Sequence, residues 1–150
     1  MAINSKGGLV ASRRTPILDT GGRREYDIPE MLQCIQYDVA HEYGEIYCGI
    51  EKVGTMPRDG RVGAFNFGKG YGIWLGLLAA TRTPYAEIQP QRWQSKMLAG
   101  LARGPQTKVS AVTAAKSLFP DLPIKVKADW GMADAVLIAE YARRQRQGVK

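Results

Sequence analysis

The chain has 150 residues, 45% of them hydrophobic, which is enough for one domain with a single sizeable core; it has no apolar run of about 18 residues and no apolar signal-peptide core in "MAINSKGG", so a transmembrane helix is excluded and the cytoplasm is the expected location. Its net charge is +7 and its pI is near 9.6, a balance that suits a polyanionic partner such as DNA, RNA or an anionic membrane. Cys34 and Cys48 are the only cysteines and form no CxxC pair, so reduced, half-buried thiols are expected and not a disulfide or zinc site.

From the N-terminus, "MAIN-SKGG-LVASRRTPI" predicts a β-hairpin that turns at residues 5–8. "GGRREYD" reads as a loop. "IPEMLQCIQYDVAHEYG" predicts a helix, with Pro29 in its first turn and Gly44 at its end. "EIYCGIE" is short and apolar on both faces, the pattern of a buried central strand, and it ends in Glu51. "KVGTMPRDGRVG" reads as a functional loop. "FNFGKGYGIWLGLLAATR" predicts a buried helix. Gly72 and Gly76 in it, four residues apart, permit close packing against another element. "TPYAEIQP" reads as a strand, and "PQRWQSKML" as a short helix opened by Pro90. "ARGPQTK" is a loop, and "KVSAVTAAKSLFP" is a helix stopped by Pro120. A last helix spans 131–146. Strands and helices alternate after the first hairpin, which predicts a single α/β domain with a mixed sheet.

Two candidate chemistries are weak. "GAFNFGKG" matches G-x-x-x-x-G-K but lacks the Ser or Thr that a phosphate loop needs for Mg2+, and it follows a loop, not a strand. His41, the only histidine, lies at a polar helix end with no nucleophile pattern around it, so neither a catalytic triad nor a histidine metal site is expected.

The carboxylates say more. Asp134 shares the i, i+3, i+4, i+7 stripe of Leu137, Ile138 and Tyr141, where an unpaired charge is costly. Glu51 ends a strand, and Asp129 and Asp134 open the last helix. Open α/β sheets collect ligands at the carboxyl ends of their strands. Three carboxylates gathered there repel one another unless a cation lies between them, and Mg2+ or Mn2+ suits such oxygen donors. The plainer alternative pairs Glu51 with a lysine or arginine and makes Asp129 or Ala128 a helix cap.

"TPILDTGGRREYDIPEML", "IEKVGTMPRDGRVGAFNFGKGYGIWLGLLAA", "PYAEIQPQRWQSKML", "KSLFPDL" and "KADWGMADAVLIAEYARR" together resemble the RuvC-like Holliday junction resolvases, above all their phage-associated branch. The resemblance runs over 15–144, with the motifs in the same order and at similar spacing. It implies an RNase H-like mixed β-sheet flanked by helices. It also implies a homodimer that cuts four-way DNA junctions by Mg2+-dependent (or Mn2+-dependent) hydrolysis in recombination, repair or phage DNA processing.

Carried over by motif, Glu51 resembles the family's strand-end metal ligand, Asp134 in "ADA" its acid on the last helix, and Asp129 the earlier acid of a "DHGRADA"-like pattern. Trp130 stands where that pattern has a histidine. "FNFGKGYG" resembles the helix start that faces DNA. There Phe65 or Phe67 is a candidate wedge or stacking residue, and Lys69, Arg58 and Arg61 are candidate phosphate contacts. Arg92, Trp93 and Lys96 are further candidate backbone contacts, with burial the favoured alternative for Trp93. The family opens with a strand ending in "GIDPG" or similar, whose aspartate is the central metal ligand. No such motif occurs, so the resemblance implies a chain lacking the first central strand and that acid. Two further expectations follow: a DNA-binding relative with impaired catalysis, and an RNase H-like nuclease for flaps or RNA–DNA hybrids.

Overall fold

The computed structural model describes residues 1–36, 45–52, 54, 60–125 and 129–148. The chain is mixed α/β, and it folds as two compact units. The first comprises Met1–Arg14, Cys48–Glu51 and Ala86–Lys150, and the second Thr15–Tyr47 and Lys52–Tyr85. No helix among the described residues is long and apolar enough to cross a membrane.

The first unit opens with the expected hairpin. Strands β1 (Ala2–Ile3) and β2 (Leu9–Ala11) pair antiparallel, with a bulge between Ala2 and Ile3. Asn4 builds the turn: its Oδ1 accepts from the amides of Lys6 and Gly8 at 3.0 and 2.9 Å. Gly7 supplies the left-handed residue at φ +86°.

The same unit holds the main core. Helices α3 (Pro90–Met97), α4 (Thr107–Leu118) and α5 (Trp130–Gln147) contribute Trp93, Met97, Ala111, Val112, Ala115, Val136 and Leu137 to one buried cluster. Small alanines on α4 let the α5 side chains approach closely, as dense packing requires. Pro90 opens α3 and Pro120 follows the end of α4, as expected from the missing donor of proline.

Strand β5 (Cys48–Glu51) pairs with β6 (Tyr85–Ile88) and packs on α5. It is half-buried, not buried on both faces. The approach is close at Gly49, where an added Cβ would lie 2.8 Å from Cβ of Ala142 and 2.9 Å from Cδ1 of Ile88. Gly49→Ala is therefore expected to cost about 1–3 kcal/mol by overpacking, read as a lower denaturant midpoint at unchanged slope.

Glu140 is a buried acid on α5, 4% exposed. It receives Nε and Nη2 of Arg143 at 2.7 and 2.8 Å and Nε of Arg144 at 2.7 Å. Arg143 and Gln147 also donate to the carbonyl of Ser5, which ties the β1–β2 turn to α5. Burial alone would raise the Glu140 carboxyl, but the two guanidiniums hold it below the ordinary range. An acid with a lowered folded-state pKa stabilises the protein fully above its unfolded pKa, and that contribution disappears as pH falls through the folded value. Glu140→Ala, which strands two cations, is expected to cost about 3 kcal/mol at neutral pH and progressively less below pH 4.5 in acid-titrated unfolding.

In the second unit, "GGRREYD" departs from the expected loop. Arg23–Tyr26 form β4, which pairs antiparallel with β3 (Ile17–Thr20), Thr20 opposite Arg23. Gly21 and Gly22, both at positive φ, make the two-residue turn that closes it. The charged residues masked this strand because its side chains face solvent, and local pairing across the Gly-Gly turn decides its conformation. Helix α1 (Ile28–Ile35) is capped by Asp27, whose Oδ1 accepts from the Glu30 amide at 3.1 Å.

Helix α2 (Arg61–Ala80) begins inside the segment read as a loop, and it is not buried. Only Gly70 and Leu78 are fully covered, while Phe65 and Phe67 are 71% and 58% exposed. Its apolar residues are spread around the whole helix, so no single stripe can take all of them into a core. The described strands form three two-stranded sheets, in place of the single mixed sheet expected. The β3–β4 ribbon is exposed along nearly its whole length and has no apolar face with which to join another sheet.

Candidate functional site

The close approach at Gly49 brings two carboxylates together in the first unit. Gly49 and Glu51 lie on one face of β5, two residues apart. Asp134, Ile138 and Ala142 follow one another at single-turn spacing on α5. Ile138 and Ala142 are the side chains against Gly49, so the next turn of α5 carries Asp134 toward Glu51. Burial pushes the Asp134 carboxyl up to about 6, the negative charge of Glu51 adds to the rise, and Lys108 partly offsets it.

Three further side chains complete this cluster. The indole Nε1 of Trp93 donates to Oε1 of Glu51 at 2.8 Å. Trp93 is 1% exposed, so the carboxylate is held from inside the core. Lys108, at the start of α4, sits with Nζ 4.3 Å from the ring centroid of Trp130, a cation–π contact. Neither the Trp93 donor nor Lys108 was legible as part of a site. Trp93 reads as core, which it is, and α4 places Lys108 through packing that no local spacing records.

Asp129 is engaged elsewhere. It stands at the N-cap of α5, but its side chain makes no capping bond. One oxygen accepts from the Lys125 amide at 2.8 Å, and the other is ion-paired with Arg14. The Lys125 amide and Arg14 hold this carboxyl below its ordinary range, against the opposing effect of burial. Among the described residues no group of three or more His, Cys, Asp or Glu side chains is placed to hold a metal ion. The expected trio thus stands as a pair, Glu51 with Asp134, plus an acid bound to Arg14. A pair fits one hard divalent cation, because Mg2+ commonly takes one or two carboxylates and completes its shell with water and phosphate.

The basic and aromatic candidates fall in two places. Arg92 and Lys96 are exposed on one face of α3, flanking the buried Trp93 and Met97. In the second unit, Arg61, Phe65 and Lys69 lie at four-residue spacing along α2, all exposed, with Phe67 exposed on the opposite face. Tyr26 seats against this helix by donating to the carbonyl of Asn66 at 3.2 Å, beside Gly70, where any Cβ would collide with its hydroxyl. Arg58 and His41 lie outside the described residues. Cys34 and Cys48 form no disulfide, and burial pushes the Cys48 thiol up to about 11, so it stays protonated and unreactive at neutral pH.

No model of a known protein family matches the chain, and no curated protein matches it either.

Proposed function

We propose that the chain is a cytoplasmic, metal-dependent endonuclease of the RNase H-like, RuvC type, acting as a homodimer on branched DNA. The observation that carries the reading is the meeting of Glu51, at the end of a strand, with Asp134 on the last helix. Two like charges in a partly buried setting are costly for a structure to keep together, and a cation bound between them repays that cost. Glu51 and Asp134 would hold Mg2+ or Mn2+. Bound there, the ion supplies a more acidic water and neutralises charge developing on a phosphodiester.

The chain's own groups have assigned tasks in this reading. Trp93 orients Glu51 through its indole N–H. Lys108 supplies positive charge beside Asp134. Arg92 and Lys96 contact phosphates from the open face of α3, as do Arg61 and Lys69 from α2. Phe65 and Phe67, exposed as they are, suit stacking on unpaired bases at a branch.

The engagement of Asp129 by Arg14 favours a second reading, a DNA-binding relative with weak or no cleavage. One set of assays separates the two. Nicking of a synthetic four-way junction is followed with and without Mg2+, beside matched flap and RNA–DNA hybrid substrates and beside binding at fixed salt. The endonuclease reading expects Mg2+-dependent junction nicking that Glu51→Gln abolishes. Tight junction binding without nicking establishes the second reading. Preferential cutting of flap or hybrid moves the substrate assignment.

A further inference from the structure

The first unit carries a second site, a cavity of about 550 Å3 lined by Ser12, Arg13, Arg14, Lys125, Asp129 and Met132 among others. Three cations and one carboxylate leave it with two positive charges in excess. Its one carboxylate is already committed. Asp129 is anchored by the Lys125 amide at 2.8 Å, and its side chain is 5% exposed. It holds the guanidinium of Arg14, whose side chain is 67% exposed. An ion pair with one partner so open adds little stability. Its effect is positional: one end of a long arginine is held at the cavity by Asp129, while most of the side chain stays exposed. Arg13 and Lys125 add an exposed guanidinium and an ammonium, and Ser12 a hydroxyl. Fixed guanidinium forks with a hydroxyl are the donors that tetrahedral phosphate oxygens accept most readily.

The cavity is tied to the carboxylate pair by α5. Asp129 lines the cavity and Asp134 faces Glu51, five residues further along, a rise of about 7.5 Å. We infer that the cavity binds a backbone phosphate of the same nucleic-acid strand that presents a phosphate to Glu51 and Asp134, with Arg13, Arg14 and Lys125 as its contacts. The inference rests on the nuclease reading and adds to it a second phosphate contact in the same unit.

The test compares the wild type with R13A/K125A, both exposed positions outside the core, and with the charge-conserving R13K/K125R. Binding of a four-way junction is measured over a salt series in EDTA. The expected result is a log K against log salt slope shallower by about 2 in R13A/K125A, one for each lost phosphate contact, and near wild type in R13K/K125R. The Mg2+-dependent shift in melting temperature stays unchanged in both. Wild-type slope and affinity in R13A/K125A overturn the inference and leave the nuclease reading intact. Inorganic phosphate is the second probe. If it raises the melting temperature of the wild type alone while the junction slopes stay equal, the cavity takes a free anion and the strand assignment is wrong. A slope change without any junction nicking keeps the site and removes the nuclease reading. A wild type that does not bind the junction removes both.

Discussion

Asp134→Asn is expected to make the metal-free protein more stable at neutral pH while removing its response to divalent cations. In the folded protein the Asp134 carboxyl titrates at about 6 against an ordinary 3.8. A raised acid favours the protonated form, so ionisation costs stability. That cost is absent below the unfolded pKa, grows between pH 4 and pH 6, and is complete above the folded value. The shift corresponds to about 3 kcal/mol before screening, and a partly exposed carboxyl retains about 1–2 kcal/mol of it. Asparagine keeps the shape and removes the charge. Its melting temperature in EDTA therefore rises above wild type at pH 7, and the two converge near pH 4. With Mg2+ at about 100 times its Kd, the wild type gains about 2.7 kcal/mol that the variant does not. Junction nicking is lost in parallel. A variant less stable than wild type in EDTA at pH 7 would mean that Asp134 is held by attractive partners, and the cation site would lose its main physical support.

Trp93 has the second large effect, and two substitutions divide its roles. Trp93→Ala removes the largest fully buried side chain. It is expected to cost about 3–5 kcal/mol, read by denaturant unfolding. Trp93→Phe keeps most of the packing at a cost of about 1–2 kcal/mol, but deletes the N–H that reaches Glu51 at 2.8 Å. A carboxylate released from its orienting donor binds metal less well, by about 10- to 100-fold for partners of this type. The measurement is Mg2+ or Mn2+ affinity by titration calorimetry on folded Trp93→Phe. Unchanged affinity would assign Trp93 to the core alone.

The two variants test different links of one chain of causes. Gly49 lets β5 and α5 touch, the contact brings Glu51 and Asp134 into each other's field, and Trp93 fixes the direction of Glu51. Residues far apart in sequence thus make one electrostatic unit, and its energy belongs to no single residue.

Much of the local structure was legible in the chain itself. Asn4 with Gly7 makes a turn because a short amide side chain satisfies nearby amides and glycine takes positive φ without strain. Pro90 and Pro120 mark helix edges because they lack a donor. The stripe of Leu137 and Ile138 is buried because helical periodicity puts it on the covered side of α5. Asp134 was conspicuous for the same reason, as a charge in a row of apolar neighbours.

Other features depend on contacts that no local pattern contains. Arg23–Tyr26 is a strand because a partner lies across the Gly-Gly turn, although its composition is that of a loop. Phe65 and Phe67 are aromatic in a strongly apolar segment, yet they face outward because α2 has more apolar surface than its neighbours cover. Asp129 has the residue type and spacing of a helix cap or a ligand, but it pairs with Arg14, 115 residues away in the chain. Composition and periodicity determine which groups carry charge and which side of an element is apolar, because those depend on neighbours within a turn or a strand. The partner of each charge, Glu51 for Asp134 and Arg14 for Asp129, follows from how close two backbones come, and at Gly49 that distance rests on the absence of one side chain.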